Sequence, residues 1–204
     1  MTVPEELDPE SVPDHIRAAA RLAPGQWIGL VDPTWQGEGL PPSWAVVGQW
    51  RAGADGGIEE FAPNEEYRSS PLAHEWPAPA DPVDAAVQLS ATGYGPPEEI
   101  YRALASARVA VLLDEYGTVG GFELPDGGAA VIVFSAPSLL ADAGTPDHVV
   151  LGAGEVMDLL PAGHGIMVNP GAPAAIRLEP ATLWDFLDER ARTGGSEHPL
   201  RPFG

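Results

Sequence analysis

The sequence has no cysteine and no lysine. Without cysteine the chain forms no disulfides and offers no thiolate nucleophile or cysteine-ligated metal, and the redox compartment stays undetermined. The 10 basic residues, all arginine, face 30 acidic ones, which gives a formal net charge of -20. Because lysine and arginine supply most of the affinity for polyanions, we expect no nucleic-acid partner and no anionic lipid partner. An acidic surface favours cationic partners, although a solvated acidic face without a partner is the commoner explanation.

Long hydrophobic runs are missing as well. No apolar stretch approaches the roughly 18 residues that a membrane-spanning helix needs. The first 15 residues are acidic and lack the basic and apolar regions of a signal peptide. The sequence therefore predicts a cytoplasmic protein with no membrane insertion.

The sequence also lacks histidines at a metal-binding spacing and nucleophiles in a catalytic motif. The five histidines are scattered, with no HxH, HxxxH or HExxH spacing to bring two imidazoles together. No GxSxG motif occurs, and the glycine-rich run 117–128 has neither GxGxxG nor GxxxxGK and fits turns instead. We therefore expect no catalytic residue, no cofactor and no metal, hence no enzyme. The alternative is a small-molecule-binding protein or enzyme whose site is assembled from residues without a motif.

The order of elements is clearest in residues 129–173. Val/Ile-rich or apolar runs bounded by turn residues predict three strands, Ala129–Phe134, His148–Leu151 and Gly165–Val168. Between the first two, Ser135 is a candidate helix cap and Pro137 fits a first turn. A second helix is predicted over Glu155–Leu160, with Val156, Leu159 and Leu160 on its apolar face.

The motifs of this segment resemble a known family. The run ending in VFSAP, the helix GAGEVMDLLP and the turn GIMVNPG resemble the SseB-like domain, a small α+β module. PGQWIGLVDP, FAPNEEYRSSP and DPVDAAVQLSATGYG resemble the type VII secretion system-associated proteins of actinobacteria, and the similarity covers most of residues 15–190. The resemblance implies an accessory or adaptor role near a secretion machine. Its motifs are turns and strands, so no catalytic residue is carried over.

The expected fold class is α+β, a mixed β-sheet with flanking helices preceded by a small β-meander and helix. The predicted boundaries are a flexible arm at 1–10, the meander with its helices at 11–95, the SseB-like module at 96–192 and a mobile tail at 193–204. Five runs should share one mixed sheet: Val109–Leu113, Ala129–Phe134, His148–Leu151, Gly165–Val168 and Ala174–Leu178.

Further helices and strands complete the prediction. A capping box of Ser11 and Asp14 should open a helix that runs to about Ala23. Three strand-like runs at 26–33, 43–50 and 57–63 predict the meander, and 63–82 predicts an irregular connection. Later helices should begin at an Asp81 cap, at Pro96 and at Pro180. The last runs to Arg192, with Leu183, Trp184 and Leu187 at i, i+1 and i+4 as its apolar positions.

Aromatic residues are concentrated near the N-terminus, where five of the six tryptophans lie in residues 27–76. Packing in a small core is the favoured interpretation of the group, with Trp44 and Trp50 facing that core; the alternative is an exposed aromatic groove for a peptide or partner helix. The candidate partner-binding residues are Trp35, Trp76, Tyr67, Glu65 and Glu66. The expected partner is a secretion-system component or substrate with a basic or apolar surface.

Overall fold

The computed structural model describes residues 12–125 and 127–194. Its helices are α1 Asp14–Leu22, α2 Pro82–Thr92, α3 Glu98–Ser106, α4 Pro137–Asp142, α5 Ala153–Leu159 and α6 Pro180–Gly194. Its strands are β1 Trp27–Val31, β2 Val46–Ala52, β3 Ile58–Pro63, β4 Arg108–Leu112, β5 Phe122–Glu123, β6 Ala129–Phe134, β7 His148–Gly152, β8 Gly165–Val168 and β9 Ile176–Leu178. The predicted arm and the predicted tail from residue 195 onward lie outside the described residues.

The described chain divides into two compact units. Residues up to Trp76 together with Thr92–Tyr94 form the first, and Pro77–Ala91 together with the residues from Gly95 onward form the second. Among the described residues, none of the helices combines the length and hydrophobicity that spanning a bilayer requires.

The first unit contains the predicted β-meander, an antiparallel sheet in the order β1-β2-β3. Trp50 is its central core residue, 2% exposed, with Ile28 and Phe61 opposite it on the two neighbouring strands. The Phe61 ring lies 4.7 Å from the Trp50 ring and covers Gly48, where an added Cβ would come within 2.7 Å of it. Glycine at this position therefore lets the aromatic pair close over the sheet. The prediction that Trp50 faces a core is confirmed.

The second unit is built on one mixed sheet, as predicted, in the order β7-β4-β6-β8-β9, with β5 paired to β6. Only β6 and β8 run parallel among the described pairs; the others are antiparallel. Both faces of the sheet are covered, which explains the near-continuous apolar runs of the central strands. Val109, Val133 and Ile166 pack with α3, α5 and α6, whereas Ala110 and Phe134 pack with α4.

The α2 prediction is confirmed in detail. Oδ1 of Asp81 accepts hydrogen bonds from the backbone N–H of Val83 (2.7 Å) and Asp84 (3.0 Å), as an N-cap should. Val83, Ala86 and Val87, at i, i+3 and i+4 on one face of this helix, are all buried.

Two predicted helix caps are wrong. The N-cap of α1 is Pro13, without a side-chain cap, and Ser11 lies outside the described residues. The N-cap of α4 is Ala136, because the Ser135 side chain is engaged elsewhere. Its hydroxyl accepts a hydrogen bond from Nδ2 of Asn169 at 2.9 Å, and its backbone N–H donates to Oδ1 of the same residue at 2.8 Å. The side-chain amide of Asn169 is fully buried and needs hydrogen-bond partners. This requirement outweighs the capping of α4 by Ser135.

Two predicted apolar faces are also wrong in part. Helix α5 begins at Ala153, two residues earlier than predicted, and its buried residues are Ala153, Val156 and Met157. At about 100° per residue, Leu159 lies to the side of the face that these three define, and it is 51% exposed. In α6, Leu183 is buried but Trp184 is 41% exposed, because adjacent residues on a helix point about 100° apart and only one can face the core centrally.

Candidate protein-interaction surface

Residues 64–76, here called the connector, link β3 to the end of the first unit without a helix or strand. Asn64 fixes its start. Nδ2 of Asn64 donates to the backbone oxygens of Ser43 at 2.7 Å and Val46 at 2.6 Å, while its Oδ1 accepts from the N–H of Glu66 at 3.1 Å. The predicted irregular connection is confirmed for these residues, and it is tied to the entrance of β2.

A buried carboxylate anchors the middle of the connector. Asp32 follows β1 directly and is 1% exposed. Its Oδ1 accepts the N–H of Thr34 at 2.8 Å, and its Oδ2 accepts the hydroxyl of Tyr67 at 2.5 Å. Burial alone would raise the pKa of Asp32, but hydrogen bonds from Tyr67, Thr34 and Ser70 together lower it below its usual value. Asp32 is therefore a charged acceptor at neutral pH.

The tyrosines beside Asp32 add a second attachment. The hydroxyl of Tyr94 donates to the backbone oxygen of Arg68 at 2.8 Å, and the Tyr94 ring meets the Trp44 ring edge-on at 5.1 Å. Burial and the negative charge of Asp32 raise the pKa of both Tyr67 and Tyr94, so both keep their donor proton. The N–H of Arg68 also donates to Trp44 at 2.9 Å, which makes half-buried Trp44 a support of the connector.

The C-terminal end of the connector is a compact turn around Ser70, which is fully buried. Its Oγ accepts the N–H of Ala73 at 3.1 Å. The turn continues through Glu75, whose φ of 57° is left-handed, and ends with the Trp76 ring stacked on His74 at 5.2 Å. The connector is therefore attached to the first unit at its start by Asn64 and in its middle by Tyr67 and Ser70, and its end is a turn closed by its own hydrogen bonds.

The five predicted binding residues differ in how free they are. Glu65 and Glu66 are exposed, and Trp35 and Trp76 are half-buried. Tyr67 is half-buried and its hydroxyl is engaged with Asp32, so it positions the connector. The backbone N–H of Trp35 donates to the backbone oxygen of Asp32 at 3.0 Å, so Trp35 lies close in the chain to this anchor residue. Partner binding by these residues stays a prediction.

Sequence reasoning missed the residues that hold this surface. Asp32 falls near the end of the predicted strand-like run 26–33, and Asn64 and Ser70 fall in the predicted irregular connection 63–82. The available signal was an acid and a tyrosine flanking the meander, but they stand 35 positions apart. Nothing local in the sequence pairs them.

Metal coordination has no candidate within the described chain, where no group of three or more His, Asp or Glu side chains is placed to hold an ion. The connector carries three exposed acids, Glu65, Glu66 and Glu75, and the exposed apolar side chain of Leu72. What this arrangement offers chemically is a fixed acidic and aromatic surface for noncovalent contact.

The second unit defines the class of the protein, an α+β domain with helices on both faces of a mixed six-stranded sheet. The chain belongs to the SseB family: the family model for the SseB protein N-terminal domain matches residues 83–185, from the first turn of α2 into α6. This confirms the resemblance to the SseB-like domain. Comparisons with curated proteins and with solved structures found no match. The connector lies outside the matched residues.

Proposed function

We propose that this SseB-family protein is a non-enzymatic accessory or adaptor protein that acts through protein-protein interaction, with the connector as its binding surface. One observation carries the proposal. The irregular segment 64–76 is held by side-chain hydrogen bonds from Tyr67 and Ser70 to the buried Asp32, while Glu65, Glu66 and Glu75 are exposed and Trp76 is half-buried. Loops held rigid on a scaffold are where binding residues concentrate.

Preorganisation is what makes such a connector useful for binding. A flexible loop loses conformational entropy when it docks, whereas a loop already held in its bound shape does not. Partly exposed tryptophans at Trp35 and Trp76 then supply apolar area that a partner can bury. The exposed acids and the net charge of -20 attract a basic surface and speed the encounter.

The finer proposal concerns the setting. The sequence resemblance to type VII secretion system-associated proteins supports a cytoplasmic role beside that machinery, with a secretion component or substrate as the partner. The acidic charge supports a basic or apolar protein surface over nucleic acid. A second candidate function, small-molecule binding, is favoured by a cavity of about 290 Å³ in the second unit.

The test is quantitative co-purification with a tagged copy expressed in its native host. Trp76→Ala and the double variant Glu65→Gln/Glu66→Gln should lose the partner that the unmodified protein captures. Matched controls remove the same chemistry from α6: Trp184→Ala, an exposed tryptophan, and Asp185→Asn/Asp188→Asn, two exposed acids. The controls should retain the partner. Equal loss in both sets would contradict the connector as the binding surface, and no specific partner at all would contradict the adaptor role.

A further inference from the structure

A cavity of about 290 Å³ lies in the second unit, beyond the carboxyl ends of the parallel strands β6 and β8. Its walls come from the segment before α2, from α2, from α4 and from the loop after β8. Representative lining residues are Pro77, Asp84, Gln88, Leu139, Asp142 and Pro173. The carboxyl ends of parallel strands are the usual ligand position in open α/β sheets, and the volume is at the lower end of ligand pockets.

The cavity walls are fixed by the Ser135–Asn169 pair. Asn169 is fully buried and left-handed, with a φ of 51°. Besides its two side-chain hydrogen bonds to Ser135, its N–H donates to Val133 at 2.9 Å and its backbone oxygen accepts the N–H of Ala172 at 3.2 Å. The start of α4 and the loop after β8 are thereby locked together, so the cavity has a defined shape.

Asp84 is the one charged residue buried in the cavity wall, at 3% exposed. Its Oδ2 accepts the N–H of Ala80 at 2.9 Å and Nε2 of Gln88 at 3.2 Å. Nε2 of Gln88 also lies 3.4 Å from the backbone oxygen of Pro77. Oδ1 of Asp84 is buried and accepts no hydrogen bond from the described part of the chain. A buried carboxylate oxygen without a donor is costly, and the cavity that Asp84 lines is where a positively charged donor can come close to this carboxylate.

The rest of the lining narrows the chemistry of that donor. A second carboxylate, Asp142, stands at the end of α4, and none of the described residues that line the cavity is basic. Prolines, alanines and Leu139 make up most of the remaining wall. We propose that the cavity binds a small organic cation, an ammonium or guanidinium group on a short apolar body, whose positive charge lies beside the Asp84 carboxylate.

This site goes beyond the proposed adaptor function and does not depend on it. An anion would face two carboxylates with no compensating cation. A metal ion would find too few ligands, since no cluster of three acidic or histidine side chains occurs in the described chain. An ammonium or guanidinium needs only one well-placed carboxylate acceptor and an apolar wall, and the cavity supplies both.

The experiment is a titration of the full chain at constant ionic strength. Binding is monitored by the NMR chemical shifts of the backbone amides. Propylammonium chloride and methylguanidinium chloride should move the amide signals of Asp84, Gln88 and Ser138, with a Kd on the order of 1 mM for ligands of about four to five heavy atoms. Propan-1-ol and sodium propionate, which have similar bodies but no positive charge, should bind at least about tenfold more weakly.

Two variants decide whether Asp84 is responsible. Asp84→Asn keeps the shape and removes the charge, so cation binding should weaken about tenfold or more. Asp185→Asn/Asp188→Asn removes two acids far along the sequence on α6 and should leave binding unchanged. If Asp84→Asn fails to fold, Ala143→Leu, which places a larger side chain in the exposed end of the cavity, should weaken binding about fivefold or more through lost volume.

Unchanged cation binding by a folded Asp84→Asn, or by Ala143→Leu, would overturn the proposal. Shifts spread evenly over the acidic surface would overturn it too, since they show unspecific ion pairing. Capped Ala-Arg-Ala and Ala-Lys-Ala peptides test the two sources of such a cation, which are an arginine or lysine side chain of a protein partner and a free small molecule. Tighter binding of a peptide identifies a partner side chain, and tighter binding of the free cations identifies a small molecule; either result supports the site.

Discussion

Removing one hydroxyl from the connector tests whether Asp32 holds it in place. Tyr67→Phe deletes the 2.5 Å hydrogen bond to Oδ2 of Asp32, an acceptor that is charged and 1% exposed. A hydrogen bond to a charged group contributes about 1.5–3 kcal/mol to stability. Because Thr34 and Ser70 still donate to the carboxylate, we expect the lower part of that range, about 1.5–2 kcal/mol.

Urea unfolding at pH 7, followed by tryptophan fluorescence, measures this loss. Fluorescence suits the question because five of the six tryptophans lie in residues 27–76, within the first unit. Tyr116→Phe is the matched control, since Tyr116 is 80% exposed and its removal should change the free energy of unfolding by less than about 0.5 kcal/mol. An equally small change for Tyr67→Phe would refute the role assigned to this bond.

The pH dependence supplies an independent check. The folded-state pKa of Asp32 is lowered, so its contribution to stability is present above the unfolded pKa of about 3.9 and is lost as pH falls through the folded value. Tyr67→Phe removes one cause of the lowered pKa. The stability difference between the two proteins should therefore be largest above about pH 5 and shrink below about pH 4. A difference that stays constant down to about pH 2 would show that charge plays no part.

The other predictions concern binding and the second unit. Trp35→Ala or Trp76→Ala should weaken partner binding by about 2 kcal/mol with little change in stability, measured by calorimetry and thermal melting; unfolding by either variant would show a core residue. Raising salt from about 0.05 to 0.5 M should slow association several-fold, because the Debye length falls from about 14 to 4 Å; a stopped-flow rate that ignores salt would contradict steering. Asn169→Ala should cost about 2–4 kcal/mol in urea unfolding, since it breaks the pairing with Ser135 and puts alanine at a left-handed φ, whereas a loss under about 0.5 kcal/mol would refute the lock.

Strands were predictable where the signal is local. Ala129–Phe134 and Gly165–Val168 were predicted with the bounds that β6 and β8 have, because short apolar runs bounded by turn residues reflect only nearby sequence. The helix caps and helix faces were less predictable. Whether Ser135 caps a helix depends on Asn169, a residue 34 positions away, and the buried face of α5 depends on the strands and helices that pack against it.

The candidate surfaces were less predictable still, since they depend on long-range burial. Asp84 looks in the sequence like an ordinary acid in the first turn of a helix, a common and exposed position. Only the packed structure shows that it is buried beside a cavity. Asp32 is the same case in the first unit. An isolated acid carries no sequence mark that distinguishes a solvated charge from a buried anchor.

The central position of β6 has a consequence for the order in which the second unit assembles. β6 pairs with β4 and β5, which precede it, and with β8, which follows after α4, β7 and α5. During synthesis, β6 is complete once Phe134 has been added, but β8 begins only at Gly165. Until then only one long edge of β6 can be paired, with the earlier strands β4 and β5. The other edge, on a segment reading AAVIVF, then stays open to any neighbouring strand. Because parallel pairing closes late and over a long loop, the interval before β8 emerges is when this sheet is most exposed to misassembly.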